Sequence, residues 1–215
     1  MSPEEQRLHE VPVASEQVLK GTFLQVYSDQ ARLSNGLLVR REYIRHPGAV
    51  MVVPLLSRDR FIMERQYRYP LRQVLLEFPA GKRDMAEPTL HTGMRELLEE
   101  TGYRAHEWAV AGRLHNAAAY SDEFIEVWFA QGLVPGPAKL DADELLDICE
   151  VGMQDLQNMA AQGALSDAKT QIGLLWLEHW AAGRWQPRWQ SAQAWCAEWG
   201  LPQPDSTLLP ARLDL

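Results

Sequence analysis

Three carboxylates, Glu96, Glu99 and Glu100, fall within five residues of the chain's strongest helical segment, Pro88–Thr101. Leu90, Met94, Leu97 and Leu98 recur there at helical spacing, Pro88 suits the first helical position, and Gly102 stands where a C-terminal cap belongs. At i, i+3 and i+4 the three acids share one helix face, where like charges repel by a few tenths of a kcal/mol per pair (roughly). Two environments offset that repulsion. One is bulk water around an exposed charged face, the ordinary outcome. The other is a divalent cation, since hard cations take carboxylate oxygens. Two features favour the second. Arg95 and Glu87 can pair beside the cluster, and Phe78-Pro79-Ala80-Gly81 delivers a rigid turn whose carbonyls could face the same ion.

The rest of the chain frames this segment. Residues 11–45 read as an N-terminal β segment, with strands at Thr22–Tyr27 and Leu37–Tyr43 around a Ser34-Asn35-Gly36 turn. The pattern is one-sided, so its apolar face needs the main domain or a second chain to cover it. Ala49–Leu56 is a continuous apolar run, as in a strand buried on both faces. Strands are also expected from Phe61, at Val74–Phe78, at Val110–Leu114 and at Phe124–Ala130, with an acidic connection at Asp141–Asp147 and a short element from Val151. A second helix is expected at Asp167–Ala182, with Ile172, Leu175, Trp176 and His179 on one face. Beyond Gly183 the chain turns Trp-rich and then Pro-rich; a helix or wrap packed on the domain is the simpler reading, a tryptophan-lined ligand surface the sharper one. The expected divisions are 1–46, 47–182 and 183–215.

A net charge of −8 and no basic patch argue against nucleic-acid binding. No apolar run reaches the length of a membrane span, and the charged start MSPEEQRLHE lacks an export signal, so a cytoplasmic location is expected. Cys149 and Cys196 show no paired spacing, and the histidines no ligand spacing.

Gly81, five residues, Glu87, seven residues, then Arg95-Glu96-Leu97-x-Glu99-Glu100-x-Gly102-Tyr103 matches the Nudix box. The chain resembles Nudix hydrolases, most of all the ADP-ribose pyrophosphatase branch, from about Val18 to Ala182. The resemblance implies an α/β Nudix fold, an α/β/α sandwich with a mixed sheet. It implies that Glu96, Glu99, Glu100 and the Ala80 carbonyl bind Mg²⁺ or Mn²⁺, while Glu87 and Arg95 hold the loop–helix geometry. Met63-Glu64-Arg65-Gln66-Tyr67-Arg68 is similar to the strand carrying a substrate-binding arginine, which falls on Arg68; Arg41 and Glu123 match two further substrate-binding positions. Glu144 matches a catalytic loop glutamate, with Glu99 or Glu100 as the other possible general base. The implied activity is hydrolysis of the pyrophosphate of ADP-ribose or a related ADP-sugar, a nucleoside diphosphate sugar, giving AMP and a sugar phosphate. The implied assembly is a homodimer that exchanges N-terminal segments. Open alternatives are another nucleotide, such as GDP-mannose or NADH, and a Nudix-fold nucleotide sensor.

Overall fold

The computed structural model describes residues 2–140 and 145–211. Its chain divides into two compact units, Met1–Gly48 with His115–Phe124, and Ala49–Leu114 with Ile125–Leu215. Among the described residues no helix is long and apolar enough to cross a membrane.

The first unit is built on an antiparallel sheet of β1 (Val11–Lys20), β2 (Gln25–Arg32) and β3 (Leu38–Arg45), in the order β1-β2-β3. Gly36, at φ +87°, supplies the left-handed residue of the β2–β3 turn. The expected strand at Thr22 begins only at Gln25, because the Gly21 N–H donates to the Leu24 carbonyl (2.9 Å) and closes a turn first. The segment 115–124 joins this unit through Ile44 and Ser121, and through the His46 N–H, which donates to Asp122 (2.7 Å). Nothing local in the sequence marked that association. Val11, Val13, Val18 and Leu19 on β1 remain 47–52% exposed.

Among the described residues the α-helices are α1 (Pro3–Leu8) in the first unit and α2 (Thr89–Thr101), α3 (Met153–Ala161), α4 (Ala168–Ala181) and α5 (Ala192–Trp199) in the second, whose sheet is mixed and seven-stranded. Its main path runs β10 (Leu146–Gly152), β5 (Arg60–Arg68), β4 (Ala49–Ser57), β9 (Ile125–Pro135), β8 (Tyr103–Leu114), with β6 (Gln73–Glu77) on β5 and β7 (Ala80–Lys82) on β4. The β4–β9 pair is parallel and the others are antiparallel. β4 shows why its sequence is apolar throughout. Val50 and Val52 enter one core with Leu90, Met94 and Leu97 of α2 (Thr89–Thr101), while Met51, Val53 and Leu55 enter the other with Leu174 and Leu177 of α4 (Ala168–Ala181). Alternate side chains point to opposite faces, so both phases must be apolar when helices cover both. The result is the expected α/β/α sandwich.

Two details differ from expectation. Pro88 is the N-cap of α2 rather than its first helical residue. On α4 the buried positions are Lys169, Thr170, Gly173, Leu174 and Leu177, whereas Leu175, expected on the apolar face, is 43% exposed. The Trp residues of that helix blurred its periodicity: Trp176 and Trp180 lie at the margin of the core, against Trp185 and Trp189 respectively.

Those tail tryptophans pack against the second unit. Trp185 and Trp189 join the α4-side core. Gln190 then pairs with Trp108 on the edge strand β8, its N–H donating to the Trp108 carbonyl (3.1 Å) and its carbonyl accepting from the Trp108 N–H (2.8 Å). Helix α5 (Ala192–Trp199) places Trp195 in the α2-side core, where its indole N–H also donates to the Trp108 carbonyl (2.8 Å) and its ring meets Trp128 edge-on at 5.7 Å. The tail therefore wraps the sheet edge at β8 and covers part of the edge that would otherwise invite strand pairing. Trp195→Ala is expected to cost about 3–5 kcal/mol in urea unfolding, and the 41%-exposed Trp199 distinctly less when replaced by alanine.

Candidate functional site

Within the second unit, β7 and α2 bring the box residues together. The stretch before Gly81 is more regular than a turn. Ala80–Lys82 forms β7, pairing Met51 with Ala80, and the Pro79 carbonyl accepts from the Val52 N–H (2.9 Å). Opposite it, α2 ends at Gly102, whose φ of +75° lets its N–H close on the Leu98 carbonyl. Gly81 is glycine for want of space, since a Cβ there would overlap the Glu96 carboxylate.

Arg95 organises the acids. Its Nη1 donates to Glu96 (2.7 Å) and Glu99 (3.0 Å), its Nη2 to Glu87 (3.1 Å) and the Lys82 carbonyl (3.1 Å), and its Nε to Glu87 (3.3 Å). Burial alone would lower the Arg95 pKa, but Glu87 and Glu96 raise it well beyond the ordinary arginine value, so the cation is permanent. Glu87 is itself fixed. Burial pushes its carboxyl up, yet Arg95, the Thr92 hydroxyl (2.8 Å) and the Asp84 N–H (3.2 Å) together hold it below the usual carboxylate range. Glu100 instead accepts from the Ala80 N–H (3.1 Å), tying the helix to β7. The first charge that offsets repulsion between Glu96 and Glu99 is thus a guanidinium.

The same unit holds an ionic cluster around Arg68 whose other members had no role assigned from sequence. Arg68 donates from Nε and Nη2 to the two Glu77 oxygens, both at 2.7 Å. Lys169 bonds Glu77 and, at 3.1 Å, Asp167. Burial pushes the Glu77 carboxyl up, but Arg68 and Lys169 outweigh it and hold Glu77 below the ordinary range. Glu64 is different. It is fully buried on β5, cross-strand from Glu77, and faces the Glu100 carboxyl. Burial, and next the negative charge of Glu77, raise it to about 7. The available signal was a carboxylate inside an apolar strand, as in Phe61-Ile62-Met63-Glu64 and Leu75-Leu76-Glu77-Phe78.

The expected metal ligands Ala80, Glu96, Glu99 and Glu100, together with Arg68, therefore lie in the second unit. Arg41 and Glu123 lie in the first. There Arg41 makes a two-pronged ion pair with Glu10 (2.8 and 2.9 Å), and Glu123 lies 3.6 Å from the His46 ring nitrogen. Glu144 lies outside the described residues. Among the described residues no three His, Cys, Asp or Glu side chains already form a metal-holding group. The donor set nonetheless fits a hard cation. It is all oxygen and rich in carboxylate, and the buried Glu64 oxygens beside Glu100 accept from no N–H or hydroxyl donor. Arg95 engages one oxygen each of Glu96 and Glu99.

Glu87→Gln is expected to lower stability by about 1–3 kcal/mol, because the charge-assisted bonds to Arg95 are lost. The Glu87 pKa is depressed in the folded state, so its contribution is complete above the unfolded carboxylate pKa and fades as pH falls through the depressed value. The difference between wild type and variant in urea midpoint should accordingly be largest near neutral pH and shrink in acid.

Comparison with known proteins agrees with this geometry. A family model described as the NUDIX domain matches residues 45–172. ADP-ribose pyrophosphatase of Bacillus subtilis (strain 168) is 33% identical over 173 residues, spanning 80% of this chain and 94% of that protein. Methanol dehydrogenase activator of Bacillus methanolicus is 34% identical over 173 residues, spanning 79% and 92%. A crystal structure of an ADP compounds hydrolase aligns with a TM-score of 0.72 at 25% identity, covering 81% of this chain and 95% of that one. The glycine that admits Glu96, the arginine that gathers the helix acids and the domain match across 45–172 together place this chain in the Nudix family of hydrolases.

Proposed function

We propose that this protein hydrolyses the pyrophosphate of ADP-ribose or a related ADP-sugar, releasing AMP and a sugar phosphate, with Mg²⁺ or Mn²⁺ as its metal. The observation that carries the reading is the acidic face of α2 set against β7, with Glu96 packed onto Gly81 and Glu100 bonded to Ala80. Relatives named ADP-ribose pyrophosphatase support the substrate class.

Glu96, Glu99, Glu100 and the Ala80 carbonyl would hold the ion. A divalent cation held there supplies charge neutralisation for the pyrophosphate and makes hydroxide available near neutral pH. The protein's own groups do the rest. Hydrolysis adds water across the P–O–P bridge, and the proton leaving that water needs an acceptor. Glu144, Glu99 or Glu100 is assigned to that task, typically worth about 10²–10⁴-fold. Arg68 is held by Glu77 through Nε and Nη2, which turns its Nη1 edge away from that carboxylate. We assign that edge to a phosphate oxygen, for which guanidinium donors are well suited. Arg41 and Glu123 are assigned to the remainder of the substrate. The acids of the box are all present, which favours hydrolysis over a sensor that only binds nucleotide.

The test is a panel of nucleotide sugars with Mg²⁺, following AMP or GMP release. ADP-ribose is expected among the best substrates, and Glu100→Gln should lose at least about 100-fold in kcat while remaining folded. Normal turnover by Glu100→Gln would remove the metal assignment. Tight binding without cleavage would favour the sensor, and preferential release of GMP would move the substrate to a GDP-sugar.

We further propose a homodimer formed through the N-terminal sheet, supported by the exposed Val11, Val13, Val18 and Leu19 of β1. Sedimentation should show two copies per particle, and Val13→Asp with Val18→Asp should yield monomers.

A further inference from the structure

Glu64 is the buried acid that neither the box nor the ion pairs around it employ. Its side chain has no exposed surface, and among the described residues neither carboxylate oxygen accepts from an N–H or hydroxyl donor. The nearby cations are engaged elsewhere: Arg68 with both oxygens of Glu77, and Lys169 with Glu77 and Asp167. Facing Glu64 instead, within reach of a carboxyl–carboxyl hydrogen bond, is Glu100, itself only 3% exposed, which also accepts from the Ala80 N–H. β5 thus presents a carboxylate to a second carboxylate from α2 in a region closed to water.

Such a pair is unfavourable by itself. An apolar side chain at position 64 would meet the burial requirement without it, and buried charges replaced by apolar groups of similar size are often neutral or stabilising. Neighbouring residues 61–63 of the same strand are apolar and buried. What a carboxylate adds there is oxygen ligands for a hard cation. Glu100 is already one of the acids assigned to the metal, so the two need only one ion to share.

We propose that Glu64 is a further ligand of the divalent-cation site, supplied by the sheet to an ion that Glu100 supplies from the helix. The assignment rests on the metal-dependent reading of this site. It makes the ion a bridge between β5 and α2, in place of an ion held by the helix and the β7 carbonyl alone. Charge also changes. One more carboxylate lowers the net charge around the ion and favours retention of a dication in the absence of substrate.

The experiment is Mn²⁺ titration of the full-length, chelator-stripped protein, followed by the electron paramagnetic resonance signal of free Mn²⁺, with the thermal midpoint recorded with and without metal. Glu64→Gln keeps the shape and removes the charge; Glu64→Val removes both. Each variant is expected to bind Mn²⁺ at least about 10-fold more weakly, or to lose one ion per chain. The metal-induced rise in midpoint should shrink in both, and metal-free Glu64→Val should melt no lower than metal-free wild type. Unchanged Mn²⁺ stoichiometry and affinity in folded Glu64→Gln overturns the assignment, whatever the activity. Wild-type protein that takes up no Mn²⁺ overturns both this and the metal-dependent reading. Wild type that binds Mn²⁺ but cleaves no nucleotide sugar removes only the proposed substrate; weakened Mn²⁺ binding by Glu64→Gln then still upholds Glu64 as a ligand.

Discussion

The guanidinium of Arg95 holds two opposed demands together. A helix carrying Glu96, Glu99 and Glu100 on one face is electrostatically uncomfortable, and the stretch 83–88 between β7 and α2 has no strand pairing to fix it. Arg95 addresses both through its planar set of donors, reaching two acids on its own helix, Glu87 on the loop and the backbone at Lys82. A lysine could supply the charge but not that geometry. With Arg95 in place, Gly81 can lie flush against Glu96 and Glu100 can reach the Ala80 N–H. The site is therefore preorganised by ion pairs before any ligand contributes.

The same unit holds a second set of charges, in which Glu77 and Lys169 are buried while Arg68 reaches the surface. Glu77 is neutralised by Arg68 and Lys169, and Lys169 in turn by Asp167, which also caps α4 through the Thr170 N–H. The arrangement ties β5, β6 and the start of α4 to one another near the residues that carry the chemistry. Buried ion pairs contribute little net stability because desolvation opposes their attraction. Their value here is positional: Arg68 is held in one orientation, and Glu64 feels the Lys169 and Arg68 charges without being hydrogen-bonded by either.

Legibility varied with the range of the interaction that decided each feature. Helix α2 was readable because its stop signal, its apolar spacing and its box lie within 23 consecutive residues. Strand β4 was readable because burial on both faces keeps Ala49–Leu55 apolar. The face of α4 was misread, since its Trp176 and Trp180 sit at the core margin, each against a tail tryptophan (Trp185 and Trp189 respectively), and draw the apparent apolar stripe away from Gly173, Leu174 and Leu177. The strand starting at Thr22 was misplaced by a turn whose closing bond joins Gly21 and Leu24. The tail was read correctly in kind as packing against the domain, but its path around β8 depends on Gln190 meeting Trp108, more than 80 residues away in sequence.

The sequence by itself determined the family, the helix that bears the acids and the identity of the loop that faces it, because those depend on residue types at short fixed spacings. Only the tertiary structure decided that Arg68 is committed to Glu77 and that Glu64 is sealed beside Glu100 away from any N–H or hydroxyl donor. Each of those depends on which charges end up adjacent after strands distant in sequence pair, and on how far water is excluded from them. Spacing along the chain carries no information about either.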